Sequence, residues 1–144
     1  MYFAYQAAKR AGDAKDAALQ ASADAKRTMI LSQIQDDLNS IVLSLNLLEE
    51  SLLRTDWSSC VRLSREVYLK ASRASEKPKD LLTNEEQSVL EKVITTSEKM
   101  VATFREAFEA DKLASKATIE TSITALTGDC VKLIEVVKGK AHVE

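Results

Sequence analysis

The sequence predicts an all-α protein: an antiparallel up-down-up-down four-helix bundle of coiled-coil type, with a long, alanine-rich first helix extending beyond it. Three observations predict this. The chain holds three glycines and one proline in 144 residues, too few for the turns that a sheet protein needs. Apolar residues recur at steps of three and four through nearly every segment. And Ala4, Ala7, Ala11, Ala14, Ala18, Ala21 and Ala25 open the chain at the heptad spacing of a helix seam.

The first helix is expected from Ala4 to Arg54, a stretch with no proline and Gly12 as its sole glycine. It is one helix or two nearly collinear ones, up to about 75 Å long at about 1.5 Å per residue. Its seam changes character midway. After Ala25 the stripe passes to Leu31, Ile34, Leu38, Ile41, Leu45, Leu48 and Leu52, while the alanine register extended forward meets polar Thr28, Ser32, Gln35 and Asn39. The apolar face has therefore rotated by about one residue, roughly 100°. Three parts follow: residues 1–28 as a stalk or membrane-proximal helix, 29–139 as the bundle, and 140–144 as a tail. The competing expectation is a break near Arg27-Thr28, with the alanine helix folded back onto the bundle.

Thr55 and Asp56 supply the first turn, since either side chain can accept from the free N–H groups of a following helix. Trp57, Val61, Ser64, Tyr68 and Ala71 give the second helix its expected inner face, with Cys60 and Val67 flanking. So short a connection returns this helix antiparallel to the first, with Trp57 plugging the closed end. Pro78 breaks the chain in the loop from Ser75 to Asp80. Thr83-Asn84-Glu85-Glu86 then matches a capping box and starts a third helix, with Leu90, Val93, Ile94, Ser97, Val101, Phe104 and Phe108 on one side. Near Ala110-Asp111-Lys112 the register changes again, to Ile119, Ile123, Leu126, Cys130, Leu133 and Val137, and a turn there completes four helices. Thr127-Gly128-Asp129 is expected to interrupt the last helix, and Lys138-Gly139 to stop it.

Composition narrows the function. A net charge of −2 lacks the basic excess of a dedicated nucleic-acid binder, so no nucleic acid is expected as a partner. Cys60 and Cys130 form no CxxC pair and read as buried thiols in a reducing compartment, with a disulfide as the alternative if their helices are adjacent. His142 is the sole histidine and lies in the tail, which leaves no Ser-His or Cys-His pair and no Glu-x-x-His di-iron set. Glycine-rich phosphate loops, HExxH and EF-hand patterns are absent too. No catalytic residue, metal site or cofactor is therefore expected, and the paired carboxylates Asp36-Asp37 and Glu49-Glu50 read as solvated helix flanks.

What remains is interaction. The alanine seam from Ala4 to Ala25 is the expected self-association surface, for a homo-oligomer or a helix of another protein. Arg62, Arg65, Lys70 and Arg73, with Lys77 and Lys79 beyond them, form a candidate dock for an acidic partner. Met1-Tyr2-Phe3-Ala4-Tyr5 followed by Lys9 and Arg10 resembles the cytoplasmic edge of a membrane anchor. A cytoplasmic location is expected, with two readings of this start: a tether before Met1 that holds the chain at the cytoplasmic face of a membrane, or an ordinary hydrophobic start that packs on the protein itself. The alternative function is a ligand-sensing or regulatory bundle with a pocket at Trp57, Ser64, Tyr68, Ser97 and Phe104, because polar residues at core positions pair with each other or line a cavity.

Overall fold

The structure, a computed structural model, describes residues 2–113 and 115–142. Met1, Ala114, Val143, Glu144 and the Lys79 side chain lie outside the described residues. Four α-helices follow in order: α1 (Tyr2–Leu53), α2 (Trp57–Ser75), α3 (Asn84–Ala110) and α4 (Lys116–Ala141). A single 3₁₀ turn (Lys79–Leu81) precedes α3, and the described residues hold no strand. α1 packs on α2 and α4, α2 packs on α3, and α3 meets α4 more sparingly.

The core forms where the leucine stripe predicts it. Leu31, Ile34, Leu38, Ile41, Leu45, Leu48 and Leu52 of α1 are fully buried. Across from them lie the buried Ile119, Ile123, Leu126, Cys130, Leu133 and Val137 of α4. On α2 the buried side is turned from the expected one: Cys60, Leu63, Val67 and Ala74 join Trp57, Ser64 and Ala71 inside, while Val61 and Tyr68 are only half-buried. On α3 Met100 and Ala107 are buried, and Phe108 is 62% exposed instead of facing inward. Leu90, Val93, Ser97 and Phe104 hold their expected places. In both cases the bulkiest residues misplace the face. Tyr68 and Phe108 pull a pattern-based stripe towards themselves, whereas packing admits smaller Ala74 and Ala107 close to neighbouring backbones.

The turns are built as the cap residues dictate. Thr55 reverses the chain at φ 55°, a left-handed conformation unusual for a β-branched residue. Asp56 then caps α2 by accepting from the Ser59 N–H at 3.2 Å and from the Ser59 hydroxyl at 2.7 Å. The capping box is complete: Glu86 N–H donates to Thr83 Oγ1 at 3.2 Å, and Thr83 N–H donates to Glu86 Oε2 at 3.3 Å. α3 ends without glycine, on Asp111 in the left-handed region, whose N–H reaches the Ala107 carbonyl.

α4 corrects two expectations. It runs unbroken through Thr127-Gly128-Asp129 and past Lys138-Gly139 to Ala141, and no glycine takes a positive φ. A helical glycine costs only about 1 kcal/mol relative to alanine. The buried Leu126 and Cys130 around Gly128, and Leu133 and Val137 before Gly139, more than offset it.

Candidate interaction surfaces

Every alanine of the N-terminal seam, from Ala4 to Ala25, is exposed. From Tyr2 to Met29 every residue but Gln6 is exposed, and the Gln6 side-chain amide donates to the Tyr2 hydroxyl at 3.0 Å. Burial begins at Ile30 and Leu31. Just before it, Arg27 donates to the backbone carbonyl of Lys140 at 3.4 Å. Lys140 in turn donates to the Leu81 carbonyl at 3.1 Å and ion-pairs with Glu86. These residues make a polar collar where α1 enters the core. Within it, burial pushes the Glu86 carboxyl up, but hydrogen bonds from Lys140 and Thr83 outweigh this and leave it below its ordinary value.

The basic residues of α2 are largely engaged inside the chain. Lys77 donates to Gln33 Oε1 at 3.1 Å, Lys70 to Ser40 Oγ at 2.6 Å, and Arg73 grips Asp37 through Nε and Nη2. Ser44 reaches Glu66 at 3.5 Å, the outer limit of a hydrogen bond. Steps of four, three and four residues up α1 are matched by the same steps back from Lys77, just past the end of α2, along that helix. Arg62 pairs with Glu66 one helical turn on, at 3.4 Å. Of the four predicted dock residues, Lys70 and Arg73 are rungs of this ladder, and Arg62 and Arg65 are not.

Asp37 is the residue that sequence reasoning missed. It is 7% exposed, not a solvated flank. The signal was present: Asp37 stands three residues from Ile34 and four from Ile41, on the rim of the buried stripe, and cations at 70, 73 and 77 answer its side of α1 step for step.

The predicted pocket residues separate. Trp57 and Phe104 are both buried and stack with ring centroids 6.5 Å apart. Ser97 satisfies itself, donating to the Val93 and Ile94 carbonyls at 2.7 and 3.0 Å. Ser64 is fully buried and its hydroxyl has no partner. Tyr68 lies elsewhere, in an open surface groove of about 460 Å³ between α2 and α3 with Arg65, Leu69, Glu98, Val101, Ala102 and Arg105. A shallower hollow with Val61 and Phe108 continues it past Arg105.

Both cysteines are buried and free. Burial raises the Cys60 thiol to about 11 and the Cys130 thiol to about 12, and neighbouring Asp56 and Asp129 add to the effect. Among the described residues no three His, Cys, Asp or Glu side chains converge into a metal-binding set, and no helix is long and apolar enough to cross a membrane. No family model matches the chain, and neither the curated proteins nor the solved structures contain a match.

Proposed function

We propose that the protein is a non-enzymatic helical interaction module that pairs with a second copy of itself through the alanine seam of residues 4–25. The architecture behind this reading is an up-down-up-down bundle that carries the seam on an arm of its first helix. The observation that carries it is the exposure of the whole seam. An isolated helix of that length is marginal in water even when rich in alanine, so a regular seam without an internal partner points to an external one.

Charge selects a second copy and its direction. With the alanines at heptad positions a and d, Arg10 and Asp24 fall at g and Lys15 at e. A parallel pair sets g against e of the next heptad and brings Arg10 against Lys15 twice. An antiparallel pair sets g against g and brings Arg10 against Asp24 twice, leaving one Lys15–Lys15 contact at its centre. The antiparallel register centred on Asp16 also opposes Ala7 to Ala25, Ala11 to Ala21 and Ala14 to Ala18. Buried alanine contributes far less than buried leucine, so the pairing is weak and concentration-dependent.

Static light scattering over a concentration series tests the proposal. The mass is expected to climb from 15.9 kDa towards twice that value, and Ala11→Glu with Ala18→Glu should hold it at one chain. Asp24→Arg should weaken pairing, and adding Arg10→Asp should restore it. A mass that ignores concentration refutes self-association. If Arg10→Asp alone strengthens the pair, the helices are parallel.

A further inference from the structure

We infer that the tip of α1, residues 2–10, docks on an anionic lipid surface. Tyr2, Phe3 and Tyr5 are 69%, 86% and 68% exposed. Tyr2 and Phe3 meet edge to face, ring centroids 6.0 Å apart. Half of the chain's six Tyr and Phe residues thus stand in water within four consecutive positions. Aromatic rings with one apolar and one polar side are the residues that settle at the boundary between headgroups and hydrocarbon.

The charge of the arm is placed to match. Residues 2–12 contain Lys9 and Arg10 and no acid. Residues 13–28 contain Asp13, Asp16 and Asp24 against Lys15, Lys26 and Arg27. All of the arm's net positive charge therefore sits within two turns of the aromatic cluster, where it meets an anionic surface at the depth the rings reach. At about 100° per residue, Tyr2, Tyr5 and Lys9 share the helix face opposite the alanines. Phe3 and Arg10 lie about 100° round from them, at the edge of the seam, so lipid contact leaves the alanines themselves free; the inference goes beyond the self-pairing reading and does not depend on it.

Co-flotation of the full chain with vesicles tests it. Phosphatidylcholine vesicles containing about one third phosphatidylglycerol should carry the protein, and phosphatidylcholine alone should not. Binding should fall steeply as salt rises. Lys9→Gln should weaken it about fivefold, the expectation for one basic residue near such a surface. Tyr2→Gln, Phe3→Gln and Tyr5→Gln together should weaken it by about tenfold or more, whereas Phe108→Gln, an exposed aromatic on the bundle, should leave it unchanged. Equal binding to both vesicle types, no binding to either, or indifference to the triple variant overturns the inference. So does a triple variant that lowers the mass by light scattering without lipid, because the tip then serves a protein contact. Failure of the Ala11→Glu, Ala18→Glu test sinks self-pairing and leaves the lipid result standing.

Discussion

Replacing Ser64 with alanine is expected to make the protein more stable. Ser64 is fully buried on α2 and its hydroxyl finds no partner. A buried polar group left unpaired costs about 1–3 kcal/mol. Alanine removes that cost and forfeits only the oxygen's few packing contacts, about 0.5 kcal/mol. The net gain is about 1 kcal/mol, which raises the melting temperature of a chain this size by about 3 °C. Ser97 is the internal control, equally buried but bonded to two carbonyls of its own helix. Ser97→Ala should be neutral or cost about 0.5 kcal/mol. Urea denaturation followed by Trp57 emission separates the two, because Trp57 is buried against Phe104 and reports loss of the core. The slope with urea should not change. If Ser64→Ala destabilises, or merely matches Ser97→Ala, the Ser64 hydroxyl has a partner and the reasoning fails.

Leu45→Ala, at a fully buried position, should cost about 3 kcal/mol, while Leu43→Ala, 60% exposed two residues away, should cost less than about 0.5 kcal/mol; similar losses in urea would misplace the α1 face. The Glu86 carboxyl titrates below its ordinary value in the folded chain, so the unfolded chain takes up its proton first. Its stabilising contribution is present above the ordinary carboxylate range and is lost as pH falls through the folded value, and Glu86→Gln should flatten that acid limb of the stability–pH curve. Cys60 and Cys130, raised by burial to about 11 and about 12, should resist an aromatic disulfide reagent in native buffer and react fully in denaturant; rapid native reaction would contradict their burial.

The helical elements were legible because each carries a local signal. The Ile119–Val137 stripe of α4 matched its buried face residue for residue, the leucine stripe of α1 is buried throughout with Asp37 and Ser44 beside it, and Thr83 with Glu86 formed the capping box that their spacing implies. Rotation of α2 and α3 was less legible. There small residues such as Ala74 and Ala107 are buried because a neighbouring helix comes close, and closeness is a property of the assembled bundle. The two glycines of α4 misled for a related reason: their backbone cost is local, whereas the burial that overrides it is not. Of the candidate surfaces, the alanine stripe is a matter of spacing alone, and its residues are exposed. The engagement of Lys70 and Arg73 by Ser40 and Asp37 is not, since it pairs residues 30 and 36 positions apart.

The ladder between α1 and α2 also orders the folding of the chain. Its rungs close loops of 22, 30, 36 and 44 residues, the shortest nearest the turn at Thr55. Each doubling of loop length adds only about 0.6 kcal/mol to closure, so once Ser44 meets Glu66 the hairpin zips outward at little further cost. The contacts of the collar span much longer stretches, 59 residues from Lys140 to Leu81 and 113 from Arg27 to Lys140, against 37 for the Lys92–Asp129 bridge that ties α4 to α3. Long-range contacts of this kind form late and open early. The collar at the base of the arm is thus the last part of the fold to be sealed, and a partner or surface that loads the arm acts first on that seal.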